Sequence, residues 1–194
     1  MKATKRRTNP ERSSATQAAL LAAAREAFVV RGYAATSTPD LVEAAGVTRG
    51  ALYHHYADKQ ALFRAVVEAE AAAVATEVEA GAADGSPLEA LISGGEAYLA
   101  AMAVPGRTRL LLIEAPAVLG RAEVDAIDAQ HGVRTLREGL AAAIEQQAIA
   151  PIPVEAAAKL LGAAFDRAAL EIAQGGDRES CLAVLRALIK GLRV

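Results

Sequence analysis

The sequence predicts an all-α protein of about nine helices, and three observations carry that prediction. Apolar residues make up 53% of the 194 positions and aromatics only 4%. Ala and Leu, both strong helix formers, dominate the apolar set, while aromatic residues are few outside the first third. Apolar positions recur at helical spacing, most cleanly at Leu161, Ala164/Phe165, Ala168 and Ile172, then at Leu182, Leu185, Ile189 and Leu192. Gly and Pro fall between these stretches and punctuate them.

Residues 1–12 read as a flexible basic arm with Pro10 as punctuation. Ser13 or Ser14 can cap a first helix whose apolar positions, Leu20/Leu21, Ala24 and Ala27/Phe28, lead to a stop at Arg31-Gly32. In TSTPDLVEAAG, Thr38 can cap, Pro39 suits the first helical position, and Asp40 and Glu43 favour the positive end of the helix dipole. Gly46 limits that helix to about two turns. Thr48 caps another short helix, through about His55, and Asp58 opens a long fourth helix to about Ala82. GAADGSP is the clearest break in the chain. Beyond it, helices are expected at roughly 87–104, 107–119 (disturbed by Pro116), 121–147, 153–174 and 177–192.

The formal net charge of −2 conceals an asymmetry. Residues 1–64 carry ten Lys/Arg against five Asp/Glu, whereas the rest hold 11 basic and 18 acidic groups. A basic end on an acidic body points to a polyanionic partner for the first third. Cys181 is the one cysteine, which excludes an internal disulfide and suits a reducing cytosol; it reads as a small apolar helix residue. No apolar run approaches the ~20 residues that span a bilayer. MKATKRRTNPERSS lacks the apolar core of a signal peptide, so a cytoplasmic protein without membrane partners is expected.

Two short helices joined through Gly-Val-Thr are the helix-turn-helix arrangement. Leu41, Ala45, Val47 and Leu52 would lock them together, and Thr48 would start the second helix at once with its first residues facing outward. The stretch TSTPDLVEAAGVTRGALYHHYADKQALFRAVV resembles the DNA-binding region of the TetR/AcrR family of bacterial regulators. The residues that carry the resemblance are Ala45-Gly46-Val47-Thr48, Leu52-Tyr53, His55-Tyr56, Lys59 and Leu62. Val42 departs from the usual Ala, and Tyr56 from the usual Phe. RLLLIEAPAVLG and IDAQHG are more loosely similar to sensor segments of the same family. The resemblance implies an arm at 1–12, a helix-turn-helix head at 13–64, and a helical effector-binding and dimerisation domain at 65–194, joined to the head by the long fourth helix.

The cluster Tyr53-His54-His55-Tyr56 bears on function directly. Adjacent histidines on a helix point about 100° apart and cannot grip one metal ion, and no Cys, Asp or Glu completes a set. No Ser/His/Asp or Cys/His pattern, phosphate loop or carboxylate pair announces catalysis. No catalytic residue, metal ligand or cofactor is therefore expected. At an exposed helix start, Arg49 can donate to guanine and Gly50 permits close approach to a groove. The resemblance implies phosphate contact by Tyr53 and Lys59, a base- or backbone-facing His54, and a His55 that reaches phosphate or packs at the helix junction. Thr38 is a further phosphate candidate through its hydroxyl and the free N–H groups around it, and Thr48 completes the set. Lys5, Arg6 and Arg7 could track phosphates.

A two-turn recognition helix reads only a few base pairs, so such proteins act as dimers on inverted half-sites. The stripe residues Leu161, Phe165, Ala168, Leu182, Leu185 and Ile189 could simply close the monomer's own core, but the resemblance implies that they form a dimer interface, as in the family. The middle helices would sense a small, largely apolar effector. Tyr98, Met102, Leu111, Glu114, His131 and Phe165 are its candidate contacts, with Leu99, Leu112, Ile113 and Leu119 as aliphatic lining and Arg109 and Asp166 as polar groups. The expected function is a homodimeric repressor that binds an inverted-repeat DNA operator and is released by its effector. A helical ligand-binding or docking module with a vestigial head, a helical enzyme and a transcriptional activator remain open alternatives.

Overall fold

The structure, a computed structural model, describes residues 9–83 and 85–193. Lys5, Arg6 and Arg7 lie outside the described residues. The chain divides into two compact units between Val67 and Glu68.

The first unit contains α1 (Asn9–Arg31), α2 (Thr38–Ala45), α3 (Arg49–His55) and the start of α4 (Lys59–Gly81). Helix α1 starts four residues before Ser13, so residues 9–12 are helical rather than part of an arm. Pro10 lies in the first turn, where its missing N–H removes no intrahelical bond. The cap of α2 is Ser37, not Thr38: Ser37 Oγ accepts from the Asp40 N–H, and the Asp40 carboxylate accepts from the Ser37 N–H. Phe28, Leu41, Leu52, Leu62 and Phe63 are fully buried and form the core. Phe28 and Phe63 meet edge-on, with ring centroids 5.1 Å apart.

The second unit takes the rest of α4, α5 (Pro87–Met102), α6 (Arg107–Arg109), α7 (Ala115–Leu119), α8 (Arg121–Gln130), α9 (Gly132–Glu145), α10 (Val154–Ala173) and α11 (Arg178–Lys190). A π-helical turn, Leu110–Glu114, joins α6 to α7 in one helical run. Counting that run once, ten helices are present among the described residues. The tenth arises because the stretch expected at 121–147 breaks at His131, whose φ of −123° and ψ of −94° are not helical. Pro116 does not end its helix. The disturbance lies upstream, where the Ala115 N–H reaches back to the Leu110 carbonyl and the widened turn accommodates the proline ring.

Leu91, Leu99, Met102, Leu140, Phe165, Leu182, Leu185 and Ile189 form the core of this unit. A Cβ on Gly95 would stand 2.5 Å from the Phe165 ring, so α5 keeps a glycine in mid-helix to admit that ring. Arg107 is 5% exposed. It donates to Glu70 at 2.9 Å, to both carboxylate oxygens of Glu77 at 3.0 and 3.1 Å, and to the Ala101 carbonyl at 2.8 Å. This network ties α6 to the later turns of α4. Among the described residues no helix is long and apolar enough to cross a membrane.

Candidate functional site

The α2–α3 turn is built by local chemistry. Gly46 adopts φ +64°, a left-handed conformation that closes α2 as its N–H bonds back to Glu43 and Val42. Two residues later Thr48 is extended, and its Oγ1 accepts from the Ala51 N–H at 3.1 Å. Helix α3 therefore starts with no slack, anchored by the fully buried Leu52.

Thr48, Arg49, Gly50, Tyr53 and His54 are all exposed, and His55 is half-buried. Arg49 lies beside Tyr53 one turn on, its guanidinium donating to the Tyr53 hydroxyl at 3.5 Å with its carbon 5.5 Å from the ring centroid. That hydrogen bond is the largest influence lowering the Tyr53 hydroxyl's pKa from the ordinary phenol value. His54 and His55 are edge-on neighbours with centroids 5.3 Å apart. Arg49, Gly50, Tyr53 and His54 thus form an exposed row along α3, its side-chain donors suited to polyanion contact.

Lys59 stands differently from its sequence expectation. Its ammonium donates to the Tyr33 and Thr36 carbonyls, both at 2.9 Å, and lies 4.0 Å from the centre of the Tyr33 ring. It clamps the α1–α2 turn to the start of α4, and Thr36 strengthens the turn by donating to the Gly32 carbonyl at 2.7 Å. Thr38, half-buried, follows one residue beyond the Ser37 cap. Tyr56 is 8% exposed, and its hydroxyl is buried without a hydrogen-bond partner among the described residues.

In the second unit the structure brings together Tyr98 and Phe165, with ring centroids 5.8 Å apart, and Asp166, which accepts from the Tyr98 hydroxyl at 2.6 Å. Met102 is buried in the same core, while Leu111 is only partly buried against it. Glu114 accepts from Arg109 across the π turn, and His131 forms the α8–α9 junction. Sequence reading missed Asp128, near the end of α8. Its pKa is pushed up to about 6, first by burial and then by the Asp166 charge.

Five of the six candidate interface residues, Phe165, Ala168, Leu182, Leu185 and Ile189, are buried in the unit's own core, and Leu161 packs against it. Their burial closes the monomer and leaves little side chain for a partner. The exposed apolar side chains of α10 and α11 are instead Leu160, Val184 and Leu188, at 73%, 60% and 48% exposure. Val184 and Leu188 are themselves four apart, a second stripe readable beside the first.

Comparison with known proteins adds two family matches. Residues 20–66 match the model described as bacterial regulatory proteins, tetR family, and residues 88–192 match the tetracyclin repressor-like C-terminal domain. A crystal structure of a TetR-family transcriptional regulator from Pectobacterium atrosepticum is 37% identical, covers 97% of this chain and 98% of its own, and superposes with a TM-score of 0.77. The A-factor receptor protein of Streptomyces griseus is 33% identical over 91 residues, 47% of this chain and 31% of that protein. The transcriptional regulator TtgR of Pseudomonas putida is 44% identical over 62 residues, 32% of this chain and 30% of its own. The chain thus spans about a third of the length of the curated relatives it matches.

Proposed function

The chain belongs to the TetR family of bacterial transcriptional regulators, and from that premise we propose that it is a cytoplasmic, homodimeric repressor of an inverted-repeat operator. A small, largely apolar effector releases it. The observation that carries this reading is the exposed row Arg49, Gly50, Tyr53 and His54 along a capped α3.

In this reading α3 enters a major groove. Arg49 swings from Tyr53 to a guanine edge, Gly50 lets the backbone approach, and His54 faces a base or the adjoining backbone. Tyr53, Thr48, Thr38 and His55 take phosphates, and Lys59 acts mainly by holding the turn that presents Thr38. Two copies meet through the exposed Leu160, Val184 and Leu188 face of α10 and α11, with the buried stripe packed behind it. The effector enters among α5, the π turn and α10, near Tyr98, Leu111 and Phe165. Its binding weakens DNA affinity by favouring a conformation that does not fit the operator. Helix α4, one unbroken helix shared by both units, is the route of that coupling.

Selection of bound duplexes from a random DNA pool, at two salt concentrations with Arg49→Ala alongside, tests the reading. An inverted repeat is expected, bound more weakly as salt rises. Arg49→Ala is expected to lose about 1–3 kcal/mol of discrimination at one base pair of each half-site. Recovery of no motif, with wild type and variant binding alike, would sink the operator-binding function.

A further inference from the structure

We propose that the effector carries a protonated amine, taken by the Asp166 carboxylate in the open space beside Gly162. This rests on the effector-binding reading above and names the chemical class of its ligand. Asp166 stands on α10 and is half-buried. Its Oδ1 accepts from the Tyr98 hydroxyl, on α5, at 2.6 Å. Among the described residues no other side chain donates to Asp166, and no Lys, Arg or His forms an ion pair with it. Tyr98 brings a hydrogen bond but no charge. Burial accordingly raises the Asp166 carboxyl from its ordinary pKa, and the Tyr98 bond and the Arg121 charge only partly offset this. A carboxylate drawn from water without a counter-charge gains most from a ligand that brings a cation and N–H donors.

The neighbourhood has room for such a ligand. Gly162 lies one turn before Asp166 on the same face of α10 and is also half-buried. A Cβ built on it would meet nothing within 4 Å. Gly95 and Gly139 differ, since a Cβ on either would stand under 3.0 Å from a packed side chain, the Phe165 ring or Leu91. Glycine weakens a helix interior relative to alanine, and packing within this unit does not require one at 162. Tyr98 is half-buried beside the carboxylate, and Phe165 backs its ring edge-on at 5.8 Å. Its ring offers apolar surface to the body of the ligand and a π face to the ammonium.

The other charged candidates are engaged elsewhere. Glu114 accepts from Arg109, and Arg107 is held by Glu70 and Glu77. Arg121 is bound to Asp125 at 2.9 Å. Lys159, two turns before Asp166 on α10, is exposed and does not reach it. An anionic effector would meet the Asp166 charge with no free cation to offset it, whereas an amine completes the pair. Both α5 and α10 lie within the second unit, so the site is independent of the head.

Calorimetric titration of the full-length protein at about pH 7, where alkylamines are protonated, tests the class. The probes are phenethylamine, phenethyl alcohol and phenylacetate, and then hexylamine, hexanol and hexanoate. Each amine is expected to bind at least about tenfold more tightly than its alcohol, with the carboxylate weaker still. Asp166→Asn keeps the volume and an acceptor for Tyr98, and is expected to bind amine and alcohol alike. Gly162→Leu, which fills the space with a better helix former, is expected to lose both. Alcohol bound as tightly as amine, no binding of either amine, or a preference that survives Asp166→Asn overturns the amine site. The same probes added to the complex with the selected operator separate the two readings. Release by alcohol and amine alike keeps the effector-released repressor and overturns the amine. Selective amine binding without release supports the site and counts against release.

Discussion

Tyr56 carries a cost that a phenylalanine would avoid. Its ring belongs to the head's core, but its hydroxyl is buried without a partner among the described residues. Leaving a buried hydroxyl unsatisfied costs about 1–3 kcal/mol, so Tyr56→Phe is expected to stabilise the head by roughly 1 kcal/mol. Urea denaturation reads the change; a loss of stability would mean the hydroxyl has a partner in solution. Lys59 presents the opposite case. Its ammonium satisfies two carbonyls of the α1–α2 turn, and charged hydrogen bonds of this kind contribute about 1.5–3 kcal/mol. Lys59→Met should therefore lower the head's stability by about 2 kcal/mol even without DNA. A variant as stable as the wild type, but weaker on DNA, would restore the simpler role of phosphate anchor.

Helices in the second unit are tied by contacts that their own sequences do not announce. Gly95 lies in mid-α5, where Ala would favour the helix by up to about 1 kcal/mol. Here the added methyl would meet the buried Phe165 ring, and such overpacking costs about 1–3 kcal/mol. Gly95→Ala is expected to lower the melting temperature, and Gly95→Ala combined with Phe165→Leu to recover part of it. Recovery would be absent if the loss had another origin. The ion pairs of Arg107 also differ by location. Glu70 is nearly buried and Glu77 half exposed, so Arg107→Met should cost about 3–5 kcal/mol and Glu77→Gln under about 1. Equal effects in thermal or urea melts would mean that the buried half of the network does not dominate.

For the whole molecule, the proposed homodimer raises the question of which face meets a second copy. Leu185 and Ile189 are committed to the core, whereas Val184 and Leu188 are exposed on the same helix. The double variant Val184→Glu, Leu188→Glu should sediment as a folded monomer, and its operator affinity should fall by more than about tenfold because half-sites are then engaged singly. Leu185→Glu should instead unfold the second unit. A double variant that remains dimeric would move the interface off these helices. Helix α4 is the one element that belongs to both units, so the proposed effector coupling is measured best in the full chain, not in an isolated head.

Neighbours a few residues apart govern much of this protein, and those parts are legible in the sequence alone. The helical periods, the Gly46 stop, the Thr48 cap and the exposed start of α3 all follow from local backbone chemistry. Even the near misses are local: Ser37 and Thr38 are both good caps, and only the Asp40 partner chooses between them. Whatever depends on residues far apart in the chain is set by tertiary packing instead. Nothing near Lys59 predicts carbonyls 23 and 26 residues away, and nothing near Asp128 predicts Asp166. The stripes of α10 and α11 are plain in the sequence, yet an apolar stripe has the same spacing whether it faces its own core or a second copy. Periodicity measures the angle around one helix; which neighbour fills that angle is set by packing among all of them.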